Sequence, residues 1–160
     1  MSAVDLDFDI EAVSDKKYRK AMRRFQDLYP YYGWGLDTKT RGARYFIPEL
    51  YCYFTVGDLG LEGTKPAGLR ACELRGVFQF HEGKEDTVST AAVILHALKR
   101  AGFDEVYLDC YDKVRHIWER AGFRTYKIRC WDTALAPKHW HEAYGEQHVY
   151  YMRWCKNMQN

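Results

Sequence analysis

Residues 4–11 read Val-Asp-Leu-Asp-Phe-Asp-Ile-Glu, which places Val4, Leu6, Phe8 and Ile10 on one face and four carboxylates on the other. A period of two predicts a half-buried strand. The period then changes. Ser14 or Asp15 can cap a helix running to about Leu28, with Tyr18, Met22, Phe25 and Leu28 or Tyr29 on one stripe. Lys16, Lys17, Arg19, Lys20, Arg23 and Arg24 fill the opposite side, and Pro30 ends the pattern. The glycines Gly33, Gly35 and Gly42 predict an irregular loop over 31–44. Three strands are expected near 45–54, 68–73 and 76–81, with a glycine-rich loop at 57–66, as an antiparallel meander.

The second half alternates helix and strand. Asp86 or Thr87 can cap a helix carrying Val88, Ala91, Ala92, Leu95 and Leu98 on one stripe, ending at Gly102, and a strand over 105–110 follows. A shorter helix holds Val114, Ile117, Trp118 and Ala121, ends at Gly122, and leads to a strand near 125–130. The endings KRAGF and ERAGF lie 20 residues apart; in each, glycine suits a left-handed helix end and phenylalanine can fold back on the helix. After a loop over 132–145, residues 147–154 read as a closing strand. The expected fold class is α/β: a single mixed, mainly antiparallel sheet flanked by helices.

The chain's 160 residues suit one domain over 1–160. With 13 tyrosines, 8 phenylalanines and 5 tryptophans, it can bury enough apolar surface to exclude a disordered or low-complexity class. Lys plus Arg is 24 against 22 for Asp plus Glu, so a nucleic-acid partner is allowed by charge but not favoured. No apolar run approaches the length of a membrane span, and the acidic start lacks the pattern of an export signal. Cys52, Cys72, Cys110, Cys130 and Cys155 are odd in number and widely spaced, which fits reduced thiols and a cytoplasmic setting.

The run HALKRAGFDEVYLDCYDKVRHIWERAGFR, in this order of elements, resembles the GNAT acyltransferase superfamily over residues 76–154. The closing stretch CWDTALAPKHWHEAYGEQHVYYMRW is also similar to small phage-encoded proteins of GNAT-like fold. The resemblance implies a GNAT-like fold, acetyl-CoA as acyl donor and an amine acceptor whose identity is open. It implies a donor turn at 81–90, where His81, Glu82, Gly83, Lys84, Thr87 and Ser89 would lie, with Glu73, His81 or Glu82 as base and Tyr111 as acid. The family's tyrosine position falls on Trp118, which has no phenol to donate. The turn also holds one glycine, one cation and the carboxylates Glu82, Glu85 and Asp86, which oppose phosphate binding, so an altered or lost activity is an expectation alongside acyl transfer.

Other constellations compete with this one. His139, His141 and His148 near Cys130 and Glu142 could ligate a metal, but an ordered aromatic loop explains them as well, and no metal is expected. The basic face over 16–24, with Tyr31, Tyr32 and Trp34, could meet phosphates and bases, against a plain solvated helix face. Cys110 could be a nucleophile, against a core thiol. Phe8, Phe25, Phe78, Phe80, Phe103, Tyr107, Trp118 and Phe123 are expected in the core. Tyr31, Tyr32, Trp34, Trp131, Trp140 and Tyr144 fall in two loop regions, a surplus that suits a partner surface. Two alternatives to an acyltransferase therefore stand: a non-catalytic phage-type protein that binds a host or virion protein, and a GNAT-like nucleic-acid modifier.

Overall fold

The computed structural model describes residues 5–37, 39–57, 70–80 and 89–157. They form strands β1 (Glu11–Val13), β2 (Ala43–Ile47), β3 (Cys52–Val56), β4 (Ala71–Gln79), β5 (Glu105–Tyr111), β6 (Arg124–Arg129) and β7 (Val149–Cys155). Helices α1 (Asp15–Leu28), α2 (Pro30–Gly33), α3 (Thr90–Arg100) and α4 (Asp112–Ala121) flank them. The strands make one seven-stranded sheet in the order β1-β2-β3-β4-β5-β7-β6. Every pairing is antiparallel except β4 with β5, so the mixed, mainly antiparallel sheet is as expected.

The opening alternation is shorter as a strand than its pattern predicts. Only Glu11–Val13 pairs with β2, whereas Leu6, Phe8 and Ile10 still pack on the core. The reason lies on α3: the Asp7 carboxylate meets His96 Nε2 at 2.9 Å and also accepts from Arg100, which draws the segment onto the helix. Those bonds, His96 first and Arg100 next, hold the Asp7 carboxyl below its ordinary range.

The strand expected over 45–54 is a hairpin. Pro48 cannot donate to a ladder, a 3-10 turn spans Pro48–Leu50, and Tyr51 takes a left-handed φ of 50° before β3 begins. Conversely, the two strands expected at 68–73 and 76–81 are one, β4, interrupted by a bulge at which its register against β3 shifts between Tyr53 and Thr55. Gly76 sits there with φ +52°, and an added Cβ would lie 2.2 Å from the Tyr18 hydroxyl, which donates to the Gly76 carbonyl at 2.6 Å. The bulge re-aims the strand: Cys72 and Leu74 face the α3–α4 core, while Phe78 and Phe80 face α1.

Helix α1 is capped by Ser14, whose Oγ accepts from the Lys17 N–H, and buries Tyr18, Met22 and Phe25. On the other face α3 buries Ala91, Val93, Ile94, Leu95 and Leu98. Its cap is Ser89, and the Asp86 and Thr87 suggested for that role lie outside the described residues. Both Gly-Phe turns close as their spacing predicts: Phe103 N–H donates to Leu98 O, Phe123 N–H donates to Trp118 O, and Gly102 and Gly122 have φ of +93° and +111°. Among the described residues no helix is long and apolar enough to cross a membrane.

Candidate active site

The parallel ladder between β4 and β5 lasts only three pairs, Ala71 with Glu105, Cys72 with Val106 and Glu73 with Tyr107. Beyond Glu73 the strands diverge, because the bulge turns β4 toward α1 while β5 stays paired with β7 along its full length. The gap opens into a cavity of about 570 Å³, within the ordinary range for ligand sites. Val77 from β4, Leu108 from β5 and Val114 and Trp118 from α4 supply apolar wall; Glu73, Asp109, Tyr111, Lys113 and Arg129 supply the chemistry.

The polar groups are set by strand periodicity. Val106, Leu108 and Cys110 point into the α3–α4 core, so Tyr107, Asp109 and Tyr111 share the opposite face. Asp109 is open on one side and crowded by protein on the others. That desolvation, followed by the charge of Glu73, raises its pKa above the ordinary carboxylate value. Glu73 accepts from Arg75 Nη2 at 2.8 Å across an exposed pair. Tyr111 ends β5 and precedes α4, and burial raises its phenol pKa.

The two aromatic loops meet here. Trp34 is 1% exposed. Its ring centroid lies 4.6 Å from Tyr111, 6.0 Å from Trp131 and 6.4 Å from Tyr144, the last nearly parallel. Trp131 continues the cluster to Trp140 at 5.0 Å, and Tyr31 touches Tyr144 at 5.8 Å. Rings separated by about a hundred positions in sequence thus pack mainly on one another. Tyr31 and Tyr32 keep 39% and 49% of their surface exposed. Lys113 reaches into this cluster with Nζ 3.9 Å from the Trp34 ring centre, and burial lowers its pKa to about 7.

Of the residues proposed from sequence, Glu73 and Tyr111 line the cavity together. Ser89 Oγ accepts from the Ala92 N–H at 3.2 Å as the α3 cap, and the adjacent Thr90 hydroxyl donates to Gln79 Oε1 at 2.8 Å. His81, Glu82, Gly83, Lys84 and Thr87 lie outside the described residues. Trp118 is buried against Phe123 and adds apolar wall to the cavity. Asp109 and Lys113 were not singled out by sequence. Asp109 could have been found from its period-two relation to Tyr111, whereas nothing local marks Lys113.

The competing constellations resolve differently. His148 Nδ1 accepts from the Trp131 N–H and His141 Nδ1 from the Ala143 N–H, each at 3.0 Å. Among the described residues no three His, Cys, Asp or Glu gather as a metal set. Cys110 lies in the core against Met152, its thiol pushed up to about 12 by burial, far from a reactive thiolate. On the basic helix face, Lys17 lies over Phe46 and Arg24 over Phe80, so part of that charge is spent on ring faces. Tyr107, expected in the core, instead donates to Glu105 at 2.6 Å on the open sheet face.

No protein-family model and no curated protein sequence matches the chain. Solved structures match its fold. Spermidine N-acetyltransferase from Vibrio cholerae in complex with CoA and spermine superposes with a TM-score of 0.59 at 11% identity, over 95% of this chain and 97% of that one. A probable GNAT-family acetyltransferase from Chromobacterium violaceum gives 0.57 at 10% identity, over 92% and 82%. An acetyltransferase from Bacillus subtilis in complex with CoA gives 0.52 at 15% identity, over 93% and 99%. The chain has a GNAT-like fold.

Proposed function

We propose that the chain is an N-acyltransferase that takes an acyl group from an acyl-CoA thioester and passes it to an amine. The observation that carries this reading is the early end of the β4–β5 ladder, which opens a cavity lined by an acid, a base and apolar wall. In this reading the apolar residues Val77, Leu108 and Val114 receive the acyl end of the donor. The stretch 81–89, with His81, Glu82, Gly83, Lys84, Thr87 and Ser89, is assigned to the phosphate end, Gly83 and Lys84 being its favourable members.

The acceptor arrives as an ammonium and must lose a proton before it attacks. Asp109, with its pKa raised by burial and by Glu73, is the base suited to take it. The amine nitrogen then bonds to the thioester carbon, the C–S bond breaks, and Tyr111 donates its phenolic proton to the departing thiolate. Glu73 is assigned to hold the negative field that keeps Asp109 basic and attracts the cationic acceptor.

Calorimetric titration with acetyl-CoA tests the reading. Binding in the micromolar range is expected, and absence of heat up to millimolar donor overturns it. A non-catalytic binding protein would use the part-exposed Tyr31 and Tyr32, and a nucleic-acid modifier the exposed Lys16 and Lys20; neither reading accounts for the cavity and the ionisable groups that line it.

A further inference from the structure

Lys113 is an odd residue to bury even in part. It stands in the first turn of α4, where a cation opposes the helix dipole, and among the described residues it forms no ion pair. Its backbone N–H donates to Gln147 Oε1 at 2.8 Å. Its Nζ donates to the Tyr31 carbonyl at 2.6 Å and lies 5.1 Å from the Tyr31 ring centre and 5.9 Å from that of Tyr111, besides its closer approach to Trp34. The charged groups on the other cavity walls are Asp37, Glu73, Arg75, Asp109 and Arg129, and the neighbouring Asp112 pairs with Arg115 at 3.4 Å. Desolvation brings the Lys113 pKa to about 7, so near neutrality a large share of the side chain is the free amine. A lysine desolvated among rings, with its amine held in place, is the ordinary form of an amine nucleophile.

We propose that Lys113 is itself an acyl acceptor, modified on Nζ by a thioester bound in the cavity it lines. The inference rests on the thioester-donor reading of the same cavity. The Nζ lone pair attacks the thioester carbon, the N–C bond forms and the C–S bond breaks. The proton lost by nitrogen passes to the leaving thiolate, which departs as a thiol. The Tyr31 carbonyl accepts one N–H and fixes the amine while its lone pair remains free. The resulting amide is neutral, so the faces of Trp34 and Tyr31 lose their cation and the tie between α4 and α2 weakens.

The whole chain is incubated at neutral pH with acetyl-CoA and, in parallel, with S-acetyl-N-acetylcysteamine, a thioester without the nucleotide. Peptide mass spectrometry follows each lysine, and calorimetry measures acetyl-CoA binding on the same preparation. Lys113 should be acetylated about tenfold or more faster than the exposed Lys16 and Lys20. Tryptophan fluorescence should shift with that modification in the parent and not in Lys113→Arg, which keeps a cation on the rings. Modification no faster than at Lys16 and Lys20 with either reagent overturns the proposal, even when acetyl-CoA binds. Selective modification by the small thioester with no acetyl-CoA binding supports Lys113 as acceptor and removes acyl-CoA as the donor.

Discussion

Two aromatic clusters lie on the same face of the sheet and do different work. Under α1, Tyr18, Phe25, Tyr53, Phe78 and Phe80 are all nearly inaccessible. Phe78 stacks on Tyr53 at 5.2 Å and meets Phe25 at 5.3 Å, and the Tyr18 hydroxyl is satisfied by the Gly76 carbonyl. At the far end of β5, Tyr31, Trp34, Tyr111, Trp131, Trp140 and Tyr144 form a second, less enclosed run of ring contacts beside a cavity, with Lys113 against Tyr31, Trp34 and Tyr111. Ring contacts are therefore no guide to function in this chain. The distinguishing feature is an ionisable group placed where its ordinary charge is disfavoured, a situation that structural packing alone has no use for.

Truncating the closed cluster should have the largest effect. Phe78→Ala removes a ring buried among four others and should cost about 3–5 kcal/mol, a large part of the stability of an ordinary domain. Trp131→Ala in the second cluster, where the ring is only partly buried, should cost less than about 2 kcal/mol. Urea unfolding of both variants measures the contrast, and equal losses would erase the distinction between the clusters.

The next effect falls on chemistry. Asp109→Asn should lower acyl transfer about a hundredfold or more, the scale of a lost general base. Stability should hold or rise at neutral pH. The folded Asp109 pKa lies above the ordinary 3.8, so past that value the folded state holds more proton than the unfolded state, stability falls as pH rises through the folded pKa, and the charged form becomes a penalty that asparagine lacks. Parent activity should rise with pH through the Asp109 pKa. A flat pH–rate profile, or a large loss of melting temperature in Asp109→Asn, would return Asp109 to a structural role.

Helices were the most readable part of the sequence, because apolar stripes and Gly-Phe endings are local signals that tertiary context left alone, as in α1 and α4. Strand boundaries were less so. The hairpin at Pro48 and the bulge at Gly76 each exchanged one element for two or two for one; the order of elements came out the same apart from the short α2, which begins the stretch expected as an irregular loop over 31–44. At the site, Tyr111 came from the family resemblance, as the tyrosine nearest the position that falls on Trp118. Lys113 was not found, because its burial depends on α2 and the 131–144 loop converging from both ends of the chain, and no local pattern encodes that encounter.

A smaller change separates packing from polarity within the closed cluster. Tyr18→Phe keeps the ring and removes the donor, leaving the Gly76 carbonyl at the β4 bulge without the Tyr18 hydroxyl, at a cost of about 1–3 kcal/mol. Chemical denaturation reads that loss. If the bulge aims β4, acetyl-CoA binding should weaken as well, although Tyr18 stands on α1 and does not line the cavity. Unchanged binding would mean that the cavity does not depend on this hydrogen bond.

Lys113→Met is read by how its effect changes with pH rather than by its size at any one pH. With a folded pKa of about 7 against an ordinary 10.5, the parent's unfolded state binds a proton that the folded state does not, between those two values. Parent stability relative to the variant should therefore rise as pH increases from 6 to about 10. Below about 7 both states carry the charge, so the parent bears the full cost of burying it and the variant should be the more stable of the two or nearly equal, the lost ring contacts offsetting part of the gain. Paired melting curves at pH 6 and pH 9 measure the difference. A gap that stays constant with pH would mean that Lys113 is solvated in the folded chain, and the second cluster would then be packing of the same kind as the first.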